Sequence, residues 1–434
     1  MTTGGTNLYD ELKWRGLVYD STEGLRALLG TESVTAYIGF DPTASSLHVG
    51  SLLPVMALAR LQRAGHSPIA IVGGGTGMIG DPSGKSQERT LLTREQIDEN
   101  VAGIRSQLAR FLDFEHPVNP ARIVNNTDWL AGFNLLDFLR DTGKYFTVNY
   151  ILQKESVNRR LESEEGISFT EFSYLLLQAR DFVELFDRFG CTLQLGGSDQ
   201  WGNITAGIDL IRKLRGKKAH GLVMPLVTTA GGVKFGKTEA GTVWLDGSRT
   251  SQQEFRQFWL QTDDRDVVTY LKYFTFLTQP EVGALEAAMA SAPEKRAAQA
   301  ALADAISQLV HGGESAERVA SANATLFSVD LNVALSEHAR LAETLASIAD
   351  DVPSTRIAGV DFDGAGVSVV DLVTRAGLAS SKSEARRLMQ QGGIKVNGKD
   401  VRDPNGRLVR EDALNGRVFL VQRGSRQRHV VVLT

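Results

Sequence analysis

The stretch from Thr35 to Leu58 constrains this chain more than any other part of its sequence. It starts within a run of β-branched and aromatic residues, Val34 to Phe40, which predicts a buried strand. A turn rich in Gly, Pro and Ser follows, and apolar residues at helical spacing then predict a helix from about Leu47. A second apolar run, Ser67 to Gly73, predicts a parallel α/β sheet built with right-handed crossovers.

The turn between this strand and this helix is suited to an anion. His48, Gly50 and Ser51 fall in the first predicted helical turn, where unpaired backbone N–H groups and the positive end of the helix dipole favour negative charge. A phosphate group is the expected ligand. Alone, the HVGS motif is a weak signal, because a first-turn histidine is more often an ordinary surface group.

Three further motifs strengthen the phosphate hypothesis. Lys234 to Thr238 reads KFGKT, Leu193 to Ile204 reads LQLGGSDQWGNI, and Gly74 to Lys85 reads GGTGMIGDPSGK. HVGS and KFGKT resemble the HIGH and KMSKS signatures of class I aminoacyl-tRNA synthetases, and the two glycine-rich runs resemble the bacterial-type tyrosyl branch of that class. The second histidine of HIGH is absent, as are the methionine and serines of KMSKS, but Ser51 and Thr238 keep a hydroxyl at the ends of the motifs.

Two nucleotide-binding alternatives fit the glycine-rich run less well. Gly75 to Gly80 matches the GxGxxG dinucleotide motif, but Asp81 and Pro82 interrupt the chain where a helix should continue. Gly80 to Lys85 is one residue short of a phosphate loop. We therefore expect these glycines to allow close approach of the backbone to a ligand.

A long helix is predicted from Ser168 to Phe189, and its polar residues are informative. Tyr174, Gln178 and Asp181 are spaced i, i+4 and i+7 and so share one face of an otherwise apolar helix. Such a stripe is usually core, but buried polar groups need partners, and a substrate could supply them.

The resemblance assigns roles to these residues. It implies that Tyr174 and Gln178 hold the ammonium group of tyrosine, that Asp181 accepts the phenolic proton, and that Tyr37 is the second contact to the phenol. It further implies that Asp81 lines the amino-acid pocket and that Gln200 lies near the substrate carboxylate.

The resemblance also implies an ATP site and the residues that act on the phosphates. The implied ATP contacts are Gly39, Asp41, His48, Gly50, Ser51, Gly197, Asp199 on the ribose, Lys234, Lys237 and Thr238. The implied catalytic groups are His48, Lys234, Lys237, Thr43, Lys85 and Arg89. Mg²⁺ is expected to arrive with ATP as substrate, and neither a tightly bound cofactor nor a metal site of the protein is expected.

At 434 residues the chain is long enough for two or three domains. We predict a Rossmann-like catalytic domain over residues 1–233 with an inserted helical segment, the signature loop and a connection over 234–250, and an all-helical domain over 251–350. A linker over 351–365 and a small α+β RNA-binding module over 366–434 follow. The resemblance implies that the helical domain recognises the anticodon.

The charge distribution supports an RNA-binding C-terminus. From Gly366 onward there are 13 Lys and Arg against 6 Asp and Glu, whereas the whole chain carries a net charge of −4. This region resembles the small S-four-type RNA-binding module, with two helices and a tight hairpin at GGIKVNGKDV. A solvated basic face is the alternative. The basic residues expected to meet tRNA phosphates are Lys382, Arg386, Arg387, Lys395 and Lys399.

Three other features bear on the location of the protein and on the roles of two further segments. The only cysteine is Cys191, and neither a leader peptide nor a membrane-spanning run of about 18 apolar residues is apparent, so a cytoplasmic protein is expected.

Thr93 to Phe111 predicts a capped amphipathic helix whose role is core packing. The basic, aromatic-rich segment Asp141 to Arg160 is either a set of solvated helix ends or, as the resemblance implies, an element that contacts a second subunit and the tRNA acceptor stem.

The resemblance implies an enzyme that joins L-tyrosine to tRNA(Tyr) through a tyrosyl-adenylate and that forms a homodimer. A tryptophanyl-tRNA synthetase is the nearest alternative, although the Tyr37 and Asp181 pair and the RNA module argue against it. A non-catalytic RNA-binding protein on a synthetase scaffold, and a carboxylate-activating ligase without an RNA partner, are more distant alternatives.

Overall fold

The computed structural model describes residues 7–83, 92–162, 166–231, 235–238, 241–329, 337–424 and 427–434, with the side chains of 237 and 238 outside the description. The chain divides into two compact units. The first unit contains residues 1–250 and 259–310, and the second contains residues 251–258 and 311–434.

The first unit is an α/β structure built on one six-stranded sheet and a two-stranded hairpin. Its strands are β1 (Asp20–Ser21), β2 (Thr35–Phe40), β3 (Ser67–Val72), β4 (Arg122–Asn125), β5 (Cys191–Gly197), β6 (His220–Met224), β7 (Lys237–Thr238) and β8 (Gly241–Thr242). Its first ten helices are α1 (Leu8–Trp14), α2 (Leu25–Thr31), α3 (Leu52–Arg63), α4 (Arg94–Leu108), α5 (Thr127–Leu130), α6 (Leu135–Asp141), α7 (Val148–Leu152), α8 (Glu155–Leu161), α9 (Phe169–Phe189) and α10 (Trp201–Arg215). Four more are α11 (Gln252–Leu260), which contributes to both units, α12 (Asp264–Phe274), α13 (Gln279–Ser291) and α14 (Ala297–His311).

The large sheet has the order β1-β6-β5-β2-β3-β4, in which β2 to β6 run parallel and β1 pairs antiparallel with β6. This confirms the predicted parallel α/β fold. Strand β2 lies at the centre, where Tyr37 is opposite Ile69 of β3 and Gln194 of β5. Because chain connections leave β2 and β5 in opposite directions along the sheet, the carboxyl end of β2 is a position where such sheets bind ligands.

The segment after β2 differs from its prediction. Helix α3 begins at Leu52 rather than near Leu47, and residues 49–51 form a single 3₁₀ turn. His48 causes the delay, because its backbone is extended and its ring Nδ1 accepts a hydrogen bond from the Gly50 N–H at 3.0 Å. The turn thus carries its own cap before the α-helix starts.

The long helix α9 confirms the prediction from Ser168 to Phe189. The Ser168 hydroxyl caps its first turn by accepting from the Glu171 N–H at 3.2 Å, and Gly190 ends it at φ 62°. Helix α9 packs on α10 so closely that a methyl group on Gly207 would lie 2.9 Å from the Phe182 ring. These two helices therefore form a rigid wall beside β5.

Two buried arginines fasten helix α12 within the first unit. Arg60, on α3, donates from Nη2 to the carbonyl oxygens of Tyr273 and Thr275 at 2.8 and 2.7 Å, and Arg15 donates to those of Lys272 and Leu277 at 2.8 and 2.7 Å. Carbonyls at a helix C-terminus lack intrahelical partners, so these guanidinium groups satisfy the end of α12. Burial lowers the pKa of Arg60 to about 9, so it is still charged at pH 7.

The second unit combines helices with a five-stranded sheet. Its elements are α15 (Gly313–Ser328), α16 (His338–Ser347), β9 (Ser354–Ile357), β10 (Val367–Ser368), α17 (Val369–Arg375), α18 (Lys382–Gln390), β11 (Ile394–Val396), β12 (Lys399–Asp400), β13 (Arg407–Leu408), β14 (Val418–Arg423) and β15 (Gln427–Leu433). The sheet order is β12-β11-β14-β15-β9, and β10 pairs with β13. The predicted tight hairpin is confirmed, because β11 and β12 are joined by Asn397 and Gly398 at φ 48° and 80°.

The two faces of this sheet have separate cores. Phe419 and Val421 point into a cluster with α17 and α18, whereas Val418 and Leu420 point into a cluster with α15 and α16. Within the segment 351–365, for which we expected a linker, residues 354–357 form β9 and Phe362 is fully buried. The helices expected as one domain over 251–350 are divided between the two units.

We predict that Arg60→Met lowers the free energy of unfolding by about 2 kcal/mol, because the Tyr273 carbonyl loses the Arg60 donor at 2.8 Å and the Thr275 carbonyl keeps only the longer bond, 3.2 Å, from Arg15. Urea denaturation followed by tryptophan fluorescence measures the change. Arg63→Met is the matched control, since Arg63 lies on the same helix but is exposed and only stacks on Phe276, at 3.4 Å, so its loss should be below about 1 kcal/mol. Equal losses in the two variants would contradict the role given to Arg60.

Candidate active site

Sequence-distant loops meet at the carboxyl edge of the central strands of the first unit. Phe40 ends β2, Val72 ends β3 and Gly197 ends β5, and each strand is followed by one of the predicted site segments. A methyl group on Gly73 would lie 3.6 Å from the Asp41 carboxylate, so the loops after β2 and β3 touch. Asp41, Thr43, His48 and Asp199 all follow β2 or β5 at this edge, as expected for a ligand site of an α/β sheet.

The HVGS turn and the described part of KFGKT lie against each other. Gly236 has φ 85°, and a side chain there would approach Val49 within 3.0 Å and the Gly50 nitrogen within 3.4 Å. The Val49 N–H donates to the Val243 carbonyl at 3.0 Å, and the Val243 N–H donates to the Gly236 carbonyl at 3.1 Å. The two motifs are therefore joined by backbone contacts although they are nearly two hundred positions apart.

Phe235 anchors the second motif in an aromatic cluster. Its ring stacks on Phe274 at 5.4 Å, packs edge-on with Tyr270 at 5.1 Å and lies tilted against Trp259 at 5.8 Å. Tyr270 and Phe274 belong to α12, the helix that Arg15 and Arg60 fasten. The loop thus has a fixed apolar base in the first unit.

A buried polar group occupies the inner part of the site. Asp181 is 3% exposed, and its carboxylate accepts from the Trp129 indole N–H at 2.7 Å and from Asn126 Nδ2 at 2.9 Å. Asn126 also donates to the Thr76 hydroxyl at 2.9 Å and accepts from the Gly75 N–H at 2.8 Å. The Asn126 side chain therefore connects the glycine-rich loop with α9.

Tyr37, which lies near this carboxylate, and its strand neighbour Gln194 each bury a polar atom that lacks a partner among the described residues. The Tyr37 side chain is 1% exposed and its hydroxyl has no hydrogen-bond partner among the described residues, and the same is true of the Gln194 Oε1 atom. Burial, and next the charge of Asp181, raise the pKa of Tyr37 well above its usual value. A ligand bound at this place could supply the missing partners.

Burial also dominates the ionisation of Asp181. It raises the pKa of this carboxyl to about 7, although the hydrogen bonds from Asn126 and Trp129 act in the opposite direction. A carboxyl poised near neutrality in a buried site is typical of functional positions.

A second polar group lies at the ends of β3 and β5, and we call it the polar cluster. It consists of Asp81, Ser83, Gln178, Gln200 and Asn203. Gln200 Nε2 donates to the Asp81 carboxylate at 2.8 Å, and Asn203 Nδ2 donates to Gln178 Oε1 at 2.9 Å. Gln178 Nε2 in turn contacts Gln200 Oε1 at 3.3 Å. Three segments that are far apart in sequence thus combine their amides and one carboxylate.

The remaining predicted residues fall around these groups. Tyr174 is 5% exposed on the α9 face that carries Gln178 and Asp181. A methyl group on Gly197 would lie 2.6 Å from the Asp199 carboxylate, and one on Gly50 would lie 2.7 Å from the His48 ring, so both glycines permit close contacts. Gly39 is exposed one residue before the end of β2, Thr43 is exposed, and Ser51 closes the 3₁₀ turn half-buried.

Several predicted phosphate contacts lie outside the described residues. These are Lys85, Arg89 and Lys234, together with the side chains of Lys237 and Thr238, whose backbone forms β7.

The five basic residues predicted to contact tRNA are all exposed on the second unit. Lys382 pairs with Asp371 at 2.7 Å, and Lys395 pairs with Asp400 at 3.3 Å, but exposed pairs of this kind contribute little stability. Arg386, Arg387 and Lys399 form no ion pair with another described residue. These cations remain accessible to a polyanion.

Four residues of the site were missed by sequence reasoning. Asn126 precedes helix α5 at the position of an N-cap, yet its side chain makes no cap bond and points to Asp181 instead. Trp129 lies in a short helix to which no role was assigned, and Gln194 and Asn203 lie within the LQLGGSDQWGNI motif, in which roles were assigned to Gly197, Asp199 and Gln200. Each of these residues places a polar or indole group where a strand or helix should be apolar. The role of such a group can be recognised only when its neighbours in the fold are known.

The described residues include neither a helix suited to crossing a membrane nor a side-chain cluster suited to a metal ion. Among them, no helix combines the length and apolarity that a membrane crossing requires. No group of three or more His, Cys, Asp or Glu side chains in the described part is arranged to hold a metal ion.

Known proteins match this chain over nearly its whole length. The family described as tRNA synthetases class I (W and Y) matches residues 30–328, and the one described as tyrosine–tRNA ligase SYY-like C-terminal domain matches residues 344–431. The tyrosine–tRNA ligase of Roseiflexus castenholzii is 53% identical over 99% of this chain and 100% of its own, and that of Geobacillus stearothermophilus is 51% identical over 98% and 99%. A C-terminally truncated mitochondrial tyrosyl-tRNA synthetase from Aspergillus nidulans is similar in structure, with a TM-score of 0.67 and 32% identity over 74% of this chain and 94% of that chain.

The raised pKa of Asp181 predicts a pH dependence of stability. The folded protein keeps a proton on this carboxyl up to about pH 7, whereas the unfolded chain loses it above about pH 4, so unfolding is favoured progressively as pH rises between these values. Between about pH 4 and pH 7, the free energy of unfolding of wild type should therefore fall relative to that of Asp181→Asn by up to about 1.4 kcal/mol per pH unit. Above about pH 7, the two curves of unfolding free energy against pH should run parallel. Parallel curves from pH 4.5 to 8 would contradict the raised pKa.

Proposed function

This chain belongs to the tyrosine–tRNA ligases, a family of class I aminoacyl-tRNA synthetases, and we propose that it activates L-tyrosine with ATP and esterifies tRNA(Tyr) through the residues gathered at the carboxyl edge of its first sheet. The polar atoms of Tyr37 and Asp181 carry this proposal. A phenol placed there donates its proton to the carboxylate and accepts from the Tyr37 hydroxyl, which otherwise has no partner among the described residues.

The polar cluster is proposed to hold the other end of the amino acid. The carboxylate of Asp81 and the amide oxygens of Gln178 and Gln200 are acceptors suited to an ammonium group. Tyr174 lies on the same α9 face as Gln178, and the amide nitrogen of Gln200 can reach the substrate carboxylate after exchange of its present partner. The amino acid would thus lie along α9, with its ring toward Asp181.

The HVGS turn and the loops after β2 and β5 are proposed to bind ATP. Gly39, Asp41, Gly50, Ser51 and Gly197 would form the backbone surface for the nucleotide, with the Asp199 carboxylate on the ribose. His48, Thr43, Lys85, Arg89, Lys234, Lys237 and Thr238 would donate to the phosphates. The backbone contact between Gly236 and Gly50 supports a shared nucleotide for both motifs. Mg²⁺ would enter bound to ATP as part of the substrate.

The proposed reaction needs no nucleophilic side chain. The tyrosine carboxylate attacks the α-phosphorus of ATP, a new P–O bond forms, and pyrophosphate leaves with the bonding electron pair. A ribose hydroxyl of the terminal tRNA adenosine then attacks the tyrosyl carbonyl and releases AMP. The protein contributes positioning and stabilisation of charge on the phosphates, which are the main sources of catalysis in such transfers.

The second unit is proposed to bind tRNA. Lys382, Arg386, Arg387, Lys395 and Lys399 are exposed on the module that follows residue 366, and such cations bind phosphates with little sequence readout. We assign the helical segment 251–350 to anticodon recognition by its resemblance to the family. A cytoplasmic location is part of the proposal.

A homodimer is also proposed, through an apolar surface of the first unit. Of the twelve large apolar side chains exposed in the described residues, six lie between residues 135 and 169. They are Leu135, Leu136, Leu139, Val148, Leu161 and Phe169. Exposed apolar groups concentrated in this way are typical of a protein interface. A second copy of this chain is the occupant that the family resemblance favours.

The alternatives have less support. The matching C-terminal family is that of tyrosine–tRNA ligases, which disfavours a tryptophanyl enzyme, and indole lacks the phenolic hydroxyl that pairs with Asp181. A non-catalytic RNA-binding protein would have no use for the buried polar atoms of Tyr37 and Gln194.

Tyrosine-dependent ATP–pyrophosphate exchange tests the activity, and Tyr37→Phe tests the pocket. This variant should lower kcat/KM for tyrosine by about 10- to 100-fold, as expected for loss of one buried hydrogen bond, without lowering it for phenylalanine. Tyr273→Phe is the control, because its hydroxyl meets the Gly16 carbonyl at 3.4 Å away from the site. No exchange by wild type would refute the function, and an unchanged selectivity in Tyr37→Phe would refute the pocket.

We expect Leu136→Asp combined with Leu139→Asp to convert the dimer into monomers, because the change buries two charges at the proposed interface. Sedimentation velocity measures the mass. Val118→Asp is the control, since Val118 is 82% exposed outside this surface and should leave the dimer intact. A monomeric wild type, or a dimer that survives the double substitution, would overturn the assignment.

A further inference from the structure

Helix α4 carries a second stripe beside its apolar one. Asn100, Gly103 and Gln107 are spaced i, i+3 and i+7, so they share one face of the helix. The core stripe of Ile97, Ile104 and Leu108 lies next to them and is buried. Core packing therefore explains only part of this helix.

Each residue of the second stripe contacts the segment between β2 and His48. Asn100 Nδ2 donates to the Pro42 carbonyl at 2.8 Å. Gln107 Oε1 accepts from the Leu47 N–H at 2.8 Å, and its Nε2 donates to the Ser46 hydroxyl at 2.9 Å. The stripe thus supplies partners to the start and the end of residues 42–47.

Gly103 is needed where the segment comes closest. A methyl group on Gly103 would lie 2.0 Å from the Ser45 carbonyl oxygen, far inside the contact distance, and the atom it meets belongs to the backbone. A side chain here must push the segment away from α4. The glycine is therefore a requirement of the close approach rather than a weakness in the helix.

The segment held in this way carries the groups assigned to the phosphates. Thr43 lies within it and His48 follows it directly. Its far end is also tied to the segment that follows KFGKT, because the Leu47 carbonyl accepts from the Leu245 N–H at 2.9 Å and the Ser46 hydroxyl accepts from the Asp246 N–H at 3.3 Å. A shift of this segment would displace both Thr43 and His48.

We propose that Asn100, Gly103 and Gln107 are positioning residues for adenylate formation, which fix residues 42–47 so that Thr43 and His48 meet the phosphates. The inference rests on the proposed function of those two residues. None of the three touches the reacting atoms. Their effect comes from geometry, because a displacement of about 1 Å at a reacting centre can cost about 100-fold in rate.

The test measures the single-turnover rate of tyrosyl-adenylate formation together with the dissociation constant of tyrosine. Gly103→Ala should lower the rate by about 10- to 100-fold and change tyrosine affinity by less than about twofold, since the tyrosine pocket lies elsewhere. Gly283→Ala is the matched control. Gly283 is also within a helix, and no atom lies within 4 Å of a methyl group added there. The Gly283→Ala variant should therefore form tyrosyl-adenylate at the wild-type rate.

A double-mutant cycle distinguishes positioning from a general loss of structure. Gln107→Met should lower the rate by about tenfold in the wild-type enzyme but by less than about twofold when Thr43→Ala and His48→Ala are already present. An equal effect in both backgrounds, or a matching loss of tyrosine affinity, would overturn the inference. If wild type forms no adenylate, the proposed function fails instead. If wild type is active and Gly103→Ala is as fast, the positioning role fails alone.

Discussion

The parallel pairing of β2 between β3 and β5 is the constraint on which the first unit depends. It fixes Tyr37 opposite Ile69 and Gln194, and it delivers the ends of three strands to one edge of the sheet. Because side chains alternate along a strand, a shift of one residue would turn Tyr37 away from Phe182 and Asp181. The register of one strand therefore decides both the depth of the site and the direction of the loops that surround it.

The residues of the site lower the stability of the ligand-free protein. Among the described residues, a tyrosine hydroxyl and a glutamine oxygen are buried without partners, and an aspartate is buried deeply enough that its pKa rises to about 7. Each of these features disfavours folding, and a ligand that supplies hydrogen-bond partners would offset that cost. The surrounding structure compensates through well-packed walls such as α9 on α10 and through the arginines that satisfy the end of α12.

Sequence reasoning succeeded where local patterns were strong. Strand β2, helix α9 with its Ser168 cap, and the Asn397–Gly398 hairpin follow from residue types within a short window. The family itself was recognisable because four separate motifs agreed.

It failed where a side chain has a distant partner. Asn126 has the sequence position of a cap, but its side chain bridges to Asp181. Helix α4 has the predicted cap at Thr93 and the predicted buried apolar stripe, whereas the contacts of its polar stripe with residues 42–47 were not predicted. The strand at 354–357 was not predicted either, since the described strand that pairs with it is β15, more than seventy residues later. The late start of α3 depends on one histidine ring that caps its own turn.

The two-sided burial of the C-terminal sheet determines how this unit can meet a nucleic acid. Modules that stack bases on a sheet leave one face open and furnish it with aromatic rings. Here α17 and α18 cover one face and α15 and α16 cover the other, and Phe419 lies within the interior. Among the described residues this sheet offers nucleotide bases no open face, and the accessible cations lie on helix α18 and on the hairpin of β11 and β12.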